Sequence, residues 1–319
     1  MGIPQFKEVR RAYGFDDVAI SPGAATINPD QTDISWSVGD HKFKIPIIAS
    51  AMDAVVSPDT AILFGKMGGL GVLNLDGVWT RYEDAREVLA ELTSAPLDKA
   101  TPLFQNAYAH EPVKEHLISE RVRKIKSSGV VCAVAMTPQT TKRYAPIAVE
   151  AGADIIVVQS TVTTARHISK SYRGLIFSEL VEQVKAPIIV GNVVTYDATL
   201  ELMETGIHGL LVGVGPGAAC TTREVTGVGI PQVTGTLDCA AAREEYFRRT
   251  SRYVPIITDG GIRTGGDLCK VFASGADAAM LGTPFAQAAE APGRGYNWGM
   301  AAPHPALPRG TRIKVGTRA

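Results

Sequence analysis

Short apolar runs alternate with longer amphipathic segments along most of the chain. The apolar runs hold three to six residues, mostly valine, isoleucine, leucine and alanine, and they lie at residues 45–49, 70–73, 130–134, 154–158, 188–190, 207–212, 255–258 and 276–281. Segments with helical spacing follow seven of them, at residues 58–67, 82–92, 142–151, 175–184, 198–204, 239–249 and 266–273. Apolar runs without polar alternation are typical of strands buried on both faces of a parallel sheet.

Eight strands that alternate with helices predict an α/β fold in which a parallel sheet closes into a (β/α)8 barrel, also called a TIM barrel. A doubly wound open sheet is the alternative architecture. The stretch between residues 92 and 130 is looser and is assigned to neither a strand nor a helix. We expect one barrel domain over residues 1–319.

Polar residues and glycines follow the predicted strands at the point where each strand ends. They are Ser50, Asp53, Asn74, Gln159, Ser160, Asn192, Cys220, Asp259, Gly282 and Thr283. In a (β/α)8 barrel the carboxyl ends of the strands form the face on which active sites are built. The sequence therefore predicts a site on that face.

Cys220 stands out among these residues. It closes the glycine-rich run Val212-Gly-Val-Gly-Pro-Gly-Ala-Ala-Cys220, which follows the sixth predicted strand. Three glycines in five residues disfavour a helix, so Cys220 is expected on a loop, where nearby N–H dipoles or cations can activate a thiol. We interpret Cys220 as a nucleophile; the alternative is a buried thiol that only fills space.

Two loops have the composition of an anion site. Asp259-Gly-Gly-Ile-Arg263 and Leu281-Gly-Thr-Pro284 follow the seventh and eighth strands, the usual position of a phosphate in this fold. Glycines there expose backbone N–H groups to an anion, although a tight connection between strand and helix has the same composition. Ionised Asp259 only accepts hydrogen bonds and therefore suits a ribose diol.

Charge and cysteine usage exclude several classes of function. The formal net charge is zero, which argues against nucleic acid as a partner. No apolar stretch reaches the ~18 residues of a membrane span and no signal peptide is recognisable, so we expect a cytoplasmic protein without a membrane partner. The four cysteines are far apart, which argues against a zinc knot or a disulfide framework.

The chain resembles the family of inosine-5′-monophosphate (IMP) dehydrogenase and guanosine-5′-monophosphate (GMP) reductase from about Phe15 onward. The most specific stretches are Ser50-Ala-Met-Asp53, Gly191-Asn-Val-Val-Thr195, residues 213–232, Asp259-Gly-Gly-Ile262 and Glu290-Ala-Pro-Gly293. The resemblance implies that Cys220 attacks C2 of a purine nucleotide and that Thr222 supports it. It also implies NAD as cofactor, a potassium ion and a homotetramer.

The resemblance implies roles for further residues. Backbone carbonyls of Gly215, Gly217 and Cys220 would hold the potassium ion, and the cofactor would contact Gln159, Ser160 and Gly213. The nucleotide would be held by Ser50, Met52, Asn192, Asp259, Gly261, Gly282 and Thr283, with Gly299 and Met300 along its base.

Local residues favour the dehydrogenase, which converts IMP to xanthosine monophosphate (XMP), over the reductase. Glu224 and Val225 stand where the reductase has two lysines, Ile262 stands where it has cysteine, and Glu290-Ala-Pro-Gly293 resembles the dehydrogenase version. Chain length favours the reductase, because the inserted CBS modules of most dehydrogenases are absent. A GMP reductase is the first alternative, and a regulatory nucleotide-binding barrel with weak turnover is the second.

The sequence departs from the family pattern at several positions. Gln159 replaces an aspartate that contacts the nicotinamide ribose, and Ala218 replaces a serine. The water-activating Arg-Tyr pair of the family is represented by Arg309 alone, with Arg312 nearby. Residues 294–319 are expected to begin a mobile flap, truncated before the eighth helix, so the N-terminal segment or a neighbouring subunit would have to cover that edge of the barrel.

Overall fold

The computed structural model describes residues 9–168, 174–299 and 312–318. The strands are β1 (Trp36–Val38), β2 (His41–Phe43), β3 (Ile47–Ala49), β4 (Leu70–Asn74), β5 (Ala133–Met136), β6 (Ile155–Gln159), β7 (Ile188–Val193), β8 (Gly209–Val212), β9 (Ile256–Asp259), β10 (Ala278–Leu281), β11 (Tyr296–Asn297) and β12 (Ile313–Lys314). Eight of them are parallel and form a closed barrel in the order β10-β3-β4-β5-β6-β7-β8-β9, which confirms the predicted (β/α)8 architecture.

Helices alternate with the barrel strands on the outside. They are α1 (Pro58–Lys66), α2 (Ala85–Ser94), α3 (Leu97–Ala109), α4 (Glu115–Lys126), α5 (Pro138–Glu150), α6 (Phe177–Gln183), α7 (Tyr196–Glu204), α8 (Thr222–Thr226), α9 (Gln232–Thr250), α10 (Gly265–Ala273) and α11 (Thr283–Ala286). Short 3₁₀ turns at Phe15–Asp17, Pro29–Gln31 and Val78–Thr80 complete the described elements.

The looser stretch between residues 92 and 130 contains two helices, α3 and α4, that the sequence analysis did not identify. Helix α4 packs between α1 and α5 and is therefore the outer helix of the second strand–helix unit of the barrel, which begins with β4. The sequence analysis had assigned that helix to residues 82–92. Its buried residues Leu117, Val122 and Ile125 are separated by charged residues that mask the apolar face in sequence. Helices α2 and α3 pack on each other and form an additional helical hairpin in this unit.

The barrel interior is filled by side chains from all eight strands, among them Ile48, Val72, Ile189 and Leu211. The β1–β2 hairpin belongs to the same cluster through Trp36 and Phe43, whose rings stack with centroids 4.9 Å apart. Because side chains fill the interior of the barrel, a ligand can bind only outside this core, at the ends of the strands.

The N-terminal segment covers the region of the barrel near β10. Phe15 is buried in a cluster with Val271 of α10 and Leu281 of β10. The Thr234 hydroxyl accepts the backbone N–H of Tyr13 at 2.8 Å, and Lys270 Nζ donates to the Phe15 carbonyl at 2.7 Å. The N-terminal segment therefore packs against α9, α10 and β10.

The two described parts of the segment expected to be a flap, residues 294–299 and 312–318, pair with each other as antiparallel strands β11 and β12. Arg312 is buried there and its guanidinium lies 4.5 Å from the centroid of the Tyr296 ring. It donates to the carbonyls of Leu92, at 2.8 Å, and Ala95, at the C-terminal end of α2. A cation at this end of a helix is favourable, so Arg312 ties the C-terminal strand to the α2–α3 hairpin and is not free to activate water. Met300 and Arg309 lie outside the described residues.

Among the residues that the structure describes, no helix is both long and apolar enough to cross a lipid bilayer.

Replacing Arg312 with methionine should lower the free energy of unfolding by about 2–3 kcal/mol, because two carbonyl groups at the end of α2 lose their donors. Urea denaturation followed by circular dichroism measures this. The control is Arg318→Met, since the Arg318 side chain is exposed on the same segment, and it should change stability by less than about 0.5 kcal/mol. Equal unfolding midpoints for the two variants would contradict the assigned role.

Candidate active site at the carboxyl ends of the strands

Cys220 lies on the loop between β8 and α8 and is exposed. Its backbone N–H donates to the Gly217 carbonyl at 3.0 Å, which tightens the loop. Its Sγ lies 3.2 Å from Oγ1 of Thr222, the first residue of α8. Arg223 then fastens this loop by donating from Nε to the Val214 carbonyl at 3.1 Å. The loop therefore presents an accessible thiol beside a fixed hydroxyl.

The other cysteines differ from Cys220. Cys132, immediately before β5, and Cys239, inside α9, are buried, and burial raises the pKa of each thiol to about 12. Thr199 Oγ1 lies 3.1 Å from the Cys239 sulfur. Cys269 on α10 is exposed, so two of the four thiols are open to solvent.

Three predicted site residues meet above the barrel. Asp259 Oδ2 accepts hydrogen bonds from Asn192 Nδ2 at 2.8 Å and from Gln159 Nε2 at 2.9 Å. Burial raises the pKa of Asp259 to about 6, because it penalises the charged form more than the two amide hydrogen bonds favour it. The residues come from the ends of β6, β7 and β9, so the barrel order brings them together.

Gln159 has an acceptor with no partner. Its amide nitrogen is shared between Asp259 and Asn192, with the second contact at 3.1 Å, whereas its Oε1 is buried without a hydrogen bond among the described residues. A buried acceptor without a donor is costly, and such an atom is a place where a ligand hydroxyl gains binding free energy.

The two remaining residues predicted to contact a cofactor have local structural partners. Ser160 Oγ donates to the Val162 carbonyl at 2.9 Å within its own turn. Gly213 is buried with a φ of +148°, and a Cβ atom there would lie 2.2 Å from the Asp259 carbonyl oxygen. Packing therefore accounts for glycine at position 213, and its contact with a cofactor stays a prediction.

The glycine loops predicted for phosphate and ribose lie against neighbouring parts of the site. A Cβ atom on Gly261 would lie 3.3 Å from the Pro216 carbonyl oxygen, so the loop after β9 abuts the Cys220 loop. A Cβ atom on Gly282 would lie 2.9 Å from Met52 Sδ and 3.6 Å from Ser50 Oγ. Gly261 therefore lies against the Cys220 loop, and Gly282 lies against Met52 and Ser50.

Strand β11 borders the site next to the loop that follows β10. Asn297 Nδ2 lies 3.4 Å from Thr283 Oγ1, which joins this strand to the loop after β10. Gly299 is exposed two residues later.

Asp53 and Asn74, which follow strands as the site residues do, serve the fold. Asp53 is buried and its Oδ2 accepts the Val78 N–H at 3.0 Å and the Tyr108 hydroxyl at 2.5 Å. Burial raises the pKa of Asp53 to about 6, and Oδ1 has no partner among the described residues. Asn74 Oδ1 accepts the Asp76 N–H at 3.0 Å and closes a turn.

Sequence reasoning missed Gln232. Its Nε2 donates to the Val212 carbonyl at 2.7 Å and to the Asp259 carbonyl at 3.1 Å, so it joins the ends of β8 and β9 below the Cys220 loop. Gln232 lies at the start of α9, 12 residues after Cys220 in the sequence, and no local pattern indicates this contact.

The described residues contain no group of three or more His, Cys, Asp or Glu side chains able to hold a metal ion.

Comparison with known proteins agrees with this geometry. A family model described as "IMP dehydrogenase / GMP reductase domain" matches residues 12–300. An uncharacterized oxidoreductase of Mycolicibacterium smegmatis is 38% identical over 97% of this chain and 84% of its own length. The inosine-5′-monophosphate dehydrogenase of Cryptosporidium parvum is 30% identical over 90% of this chain and 71% of its own length. An IMP dehydrogenase/GMP reductase-like protein of Corynebacterium glutamicum superposes with a TM-score of 0.90 at 37% identity, covering 98% of this chain and 84% of that one.

Iodoacetamide should modify Cys220 and Cys269 in the folded protein and leave Cys132 and Cys239 unmodified until urea is added, because the last two are buried with a raised pKa. Peptide mass spectrometry over a time course measures this. Equal modification rates of all four thiols in the absence of urea would contradict the described environments.

Asp53 should make stability depend on pH. Because its pKa in the folded protein is raised from 3.8 to about 6, its contribution to folding is fully present below about pH 4 and is lost as the pH rises through 6. The free energy of unfolding of Asp53→Asn, relative to wild type, should therefore increase by ~2 kcal/mol between pH 4 and pH 7.

Urea denaturation at several pH values measures this difference. Asp98→Asn removes an exposed carboxyl group from α3 and is the matched control. A difference between Asp53→Asn and wild type that is the same at pH 4 and pH 7 would contradict the raised pKa.

Proposed function

Because the chain belongs to the IMP dehydrogenase/GMP reductase family of oxidoreductases, we propose that it is an IMP dehydrogenase that oxidises IMP to XMP with NAD. The observation that carries the proposal is the exposed Cys220 thiol on a loop that abuts the glycine loop after Asp259. A nucleotide held by its phosphate and ribose on these loops would direct its base toward the sulfur.

The proposed reaction has two halves. The Cys220 thiol gives up its proton to solvent as its sulfur bonds to C2 of hypoxanthine, and the C2 hydrogen leaves with its two electrons as hydride to the oxidised cofactor, which leaves a thioimidate between protein and nucleotide. Water then adds to C2, the carbon–sulfur bond breaks, and XMP departs as the thiol recovers its proton. Thr222 Oγ1, 3.2 Å from the sulfur, is suited to orient the thiol and to exchange a proton with it.

Nucleotide binding is proposed to rest on three sets of contacts that act together. Asp259 accepts from the ribose hydroxyls, for which its orientation by Asn192 and Gln159 prepares it. Backbone N–H groups after β9 and β10, near Gly261 and Gly282, hold the phosphate. Ser50, Met52, Thr283, Gly299 and Met300 complete the proposed nucleotide contacts.

The cofactor contact is proposed at Gln159 and Ser160. The buried Oε1 of Gln159, which has no partner among the described residues, fits a ribose hydroxyl of a dinucleotide. NAD, when bound, supplies the acceptor for the hydride that leaves C2.

A potassium ion is also part of the proposal. Carbonyl oxygens of Gly215, Gly217 and Cys220 are donors of the kind that potassium prefers. The Gly217 carbonyl accepts one N–H, from Cys220, and keeps a second lone pair for an ion. An ion held by these carbonyl oxygens would stiffen the backbone around Cys220.

The direction of the reaction is inferred from Glu224, Ile262 and residues 290–293. Ile262 is buried in the cluster around Phe15, so the position at which the reductase has a thiol is occupied here by an apolar core residue. Arg309 is proposed to activate water in the second half-reaction, and a homotetramer is proposed as the assembly.

Absorbance at 340 nm, followed in both directions, tests the proposal. Wild-type protein with IMP, NAD and potassium should form NADH, whereas GMP with NADPH should give no change. NADPH consumption with GMP would favour the reductase, and no turnover with retained IMP binding would favour a regulatory barrel.

Cys220→Ala should abolish NADH formation while IMP affinity changes by less than about tenfold, since phosphate and ribose contacts remain. Cys269→Ala removes the other exposed thiol and is the matched control, with turnover equal to wild type. Turnover by Cys220→Ala would eliminate the thiol mechanism. Isothermal titration with IMP distinguishes lost chemistry from lost binding.

A further inference from the structure

Three buried side chains that are far apart in sequence form a chain of hydrogen bonds next to the candidate site. Trp298 Nε1 donates to the Tyr108 hydroxyl at 2.9 Å, and the same hydroxyl donates to Asp53 Oδ2 at 2.5 Å. Trp298 is 2% exposed, Tyr108 5% and Asp53 2%, so water cannot replace any of these partners. Burial and the neighbouring Asp53 carboxylate raise the pKa of Tyr108 well above its ordinary value, so its hydroxyl keeps its proton.

The two ends of this hydrogen-bonded chain belong to segments that border the proposed nucleotide site. Asp53 directly follows Met52, whose sulfur lies beside Gly282. Trp298 lies between Asn297, which contacts Thr283, and the exposed Gly299. A shift of either buried side chain would therefore displace a proposed contact with the base.

The middle residue is held by a part of the protein outside the eightfold repeat. Tyr108 lies near the end of α3, in the α2–α3 hairpin. Phe104, one turn earlier, packs edge-on against the Trp298 ring with centroids 5.0 Å apart. Tyr82 Oη, which precedes the hairpin in the sequence, donates to the Ala107 carbonyl near the end of α3 at 2.9 Å.

We propose that Tyr108 is a positioning residue that sets the separation between the segments at Met52 and Gly299 on either side of the purine. Only a hydroxyl can both donate to the Asp53 carboxylate and accept from the Trp298 indole; phenylalanine can do neither. The proposal rests on the proposed function, because it assigns the bordered space to the base of IMP.

Cys220 is on a different loop, after β8, with no contact to this hydrogen-bonded chain among the described residues. Loss of the Tyr108 hydroxyl should therefore weaken nucleotide binding and leave the chemical step nearly unchanged. A merely structural role would lower the amount of folded protein, which lowers the apparent kcat and leaves KM for IMP unchanged.

The test compares Tyr108→Phe with Tyr82→Phe, which removes a hydroxyl that contacts the same hairpin at Ala107 and leaves the Asp53–Tyr108–Trp298 contacts intact. For Tyr108→Phe we expect KM for IMP to rise about tenfold with kcat within about threefold of wild type. Tyr82→Phe should keep wild-type KM. Equal KM in wild type and Tyr108→Phe, or the same kinetic change in both variants, would overturn the proposal.

A second measurement does not depend on turnover. The chain has three tryptophans, Trp36, Trp79 and Trp298, so 5-fluorotryptophan labelling gives a simple ¹⁹F NMR spectrum in which Trp298→Phe identifies one signal. IMP should shift the Trp298 signal in wild type and Tyr82→Phe, and the titration of Tyr108→Phe should need about tenfold more IMP.

The two measurements separate the two proposals. No turnover by wild type, with an IMP-dependent shift that weakens in Tyr108→Phe, would reject the dehydrogenase and support the positioning role. Normal turnover by wild type, with identical IMP titrations in all proteins, would support the dehydrogenase and reject the positioning role. No response of wild-type Trp298 to saturating IMP would overturn the positioning role.

Discussion

Closure of the barrel between β10 and β3 is the constraint on which the candidate site depends. These strands pair in register, Met280 with Ile48 and Leu281 with Ala49, and the Ser50 N–H continues the ladder to the Leu281 carbonyl at 3.0 Å. Residues more than 200 positions apart in the sequence thereby become neighbours, so Gly282 lies against Met52 and Ser50. In an open sheet these two strands would be free edges, and the surface proposed for the nucleotide would not exist.

Burial on this face governs the chemistry of its acidic residues. Asp53 and Asp259 both follow barrel strands and both have a pKa raised to about 6 by burial. Their partners differ, however. Asp53 is enclosed by Val78 and Tyr108, whereas Asp259 is held by the amides of two other strand ends and remains partly exposed. The same residue type in the same place relative to a strand therefore stabilises the fold in one case and is available to a ligand in the other.

The α2–α3 hairpin adds a second layer of support around the site. It receives Arg312 from the C-terminal strand at one end and contributes Tyr108 to Asp53 and Trp298 at the other. Segments from residues 53, 108, 298 and 312 are thus connected through one insertion in the second unit of the barrel. The insertion supports the two segments, at Asp53 and at Trp298, that border the site.

The sequence by itself determined the barrel, because buried parallel strands require continuous apolar runs and each run in turn requires a helix to cover it. It also determined that polar residues and glycines gather at strand ends, and it singled out the Cys220 loop from local composition alone. Helix α4 was missed because charged residues interrupt its apolar face, and α3 was missed because it contains Pro102, a residue type that usually breaks a helix. Only the tertiary structure decided that Asp53 is a buried acceptor, that Arg312 caps α2, and that Gln232 and Tyr108 support the site. Each of those assignments depends on a partner between 20 and 220 positions away, and a local pattern carries no information about such a contact.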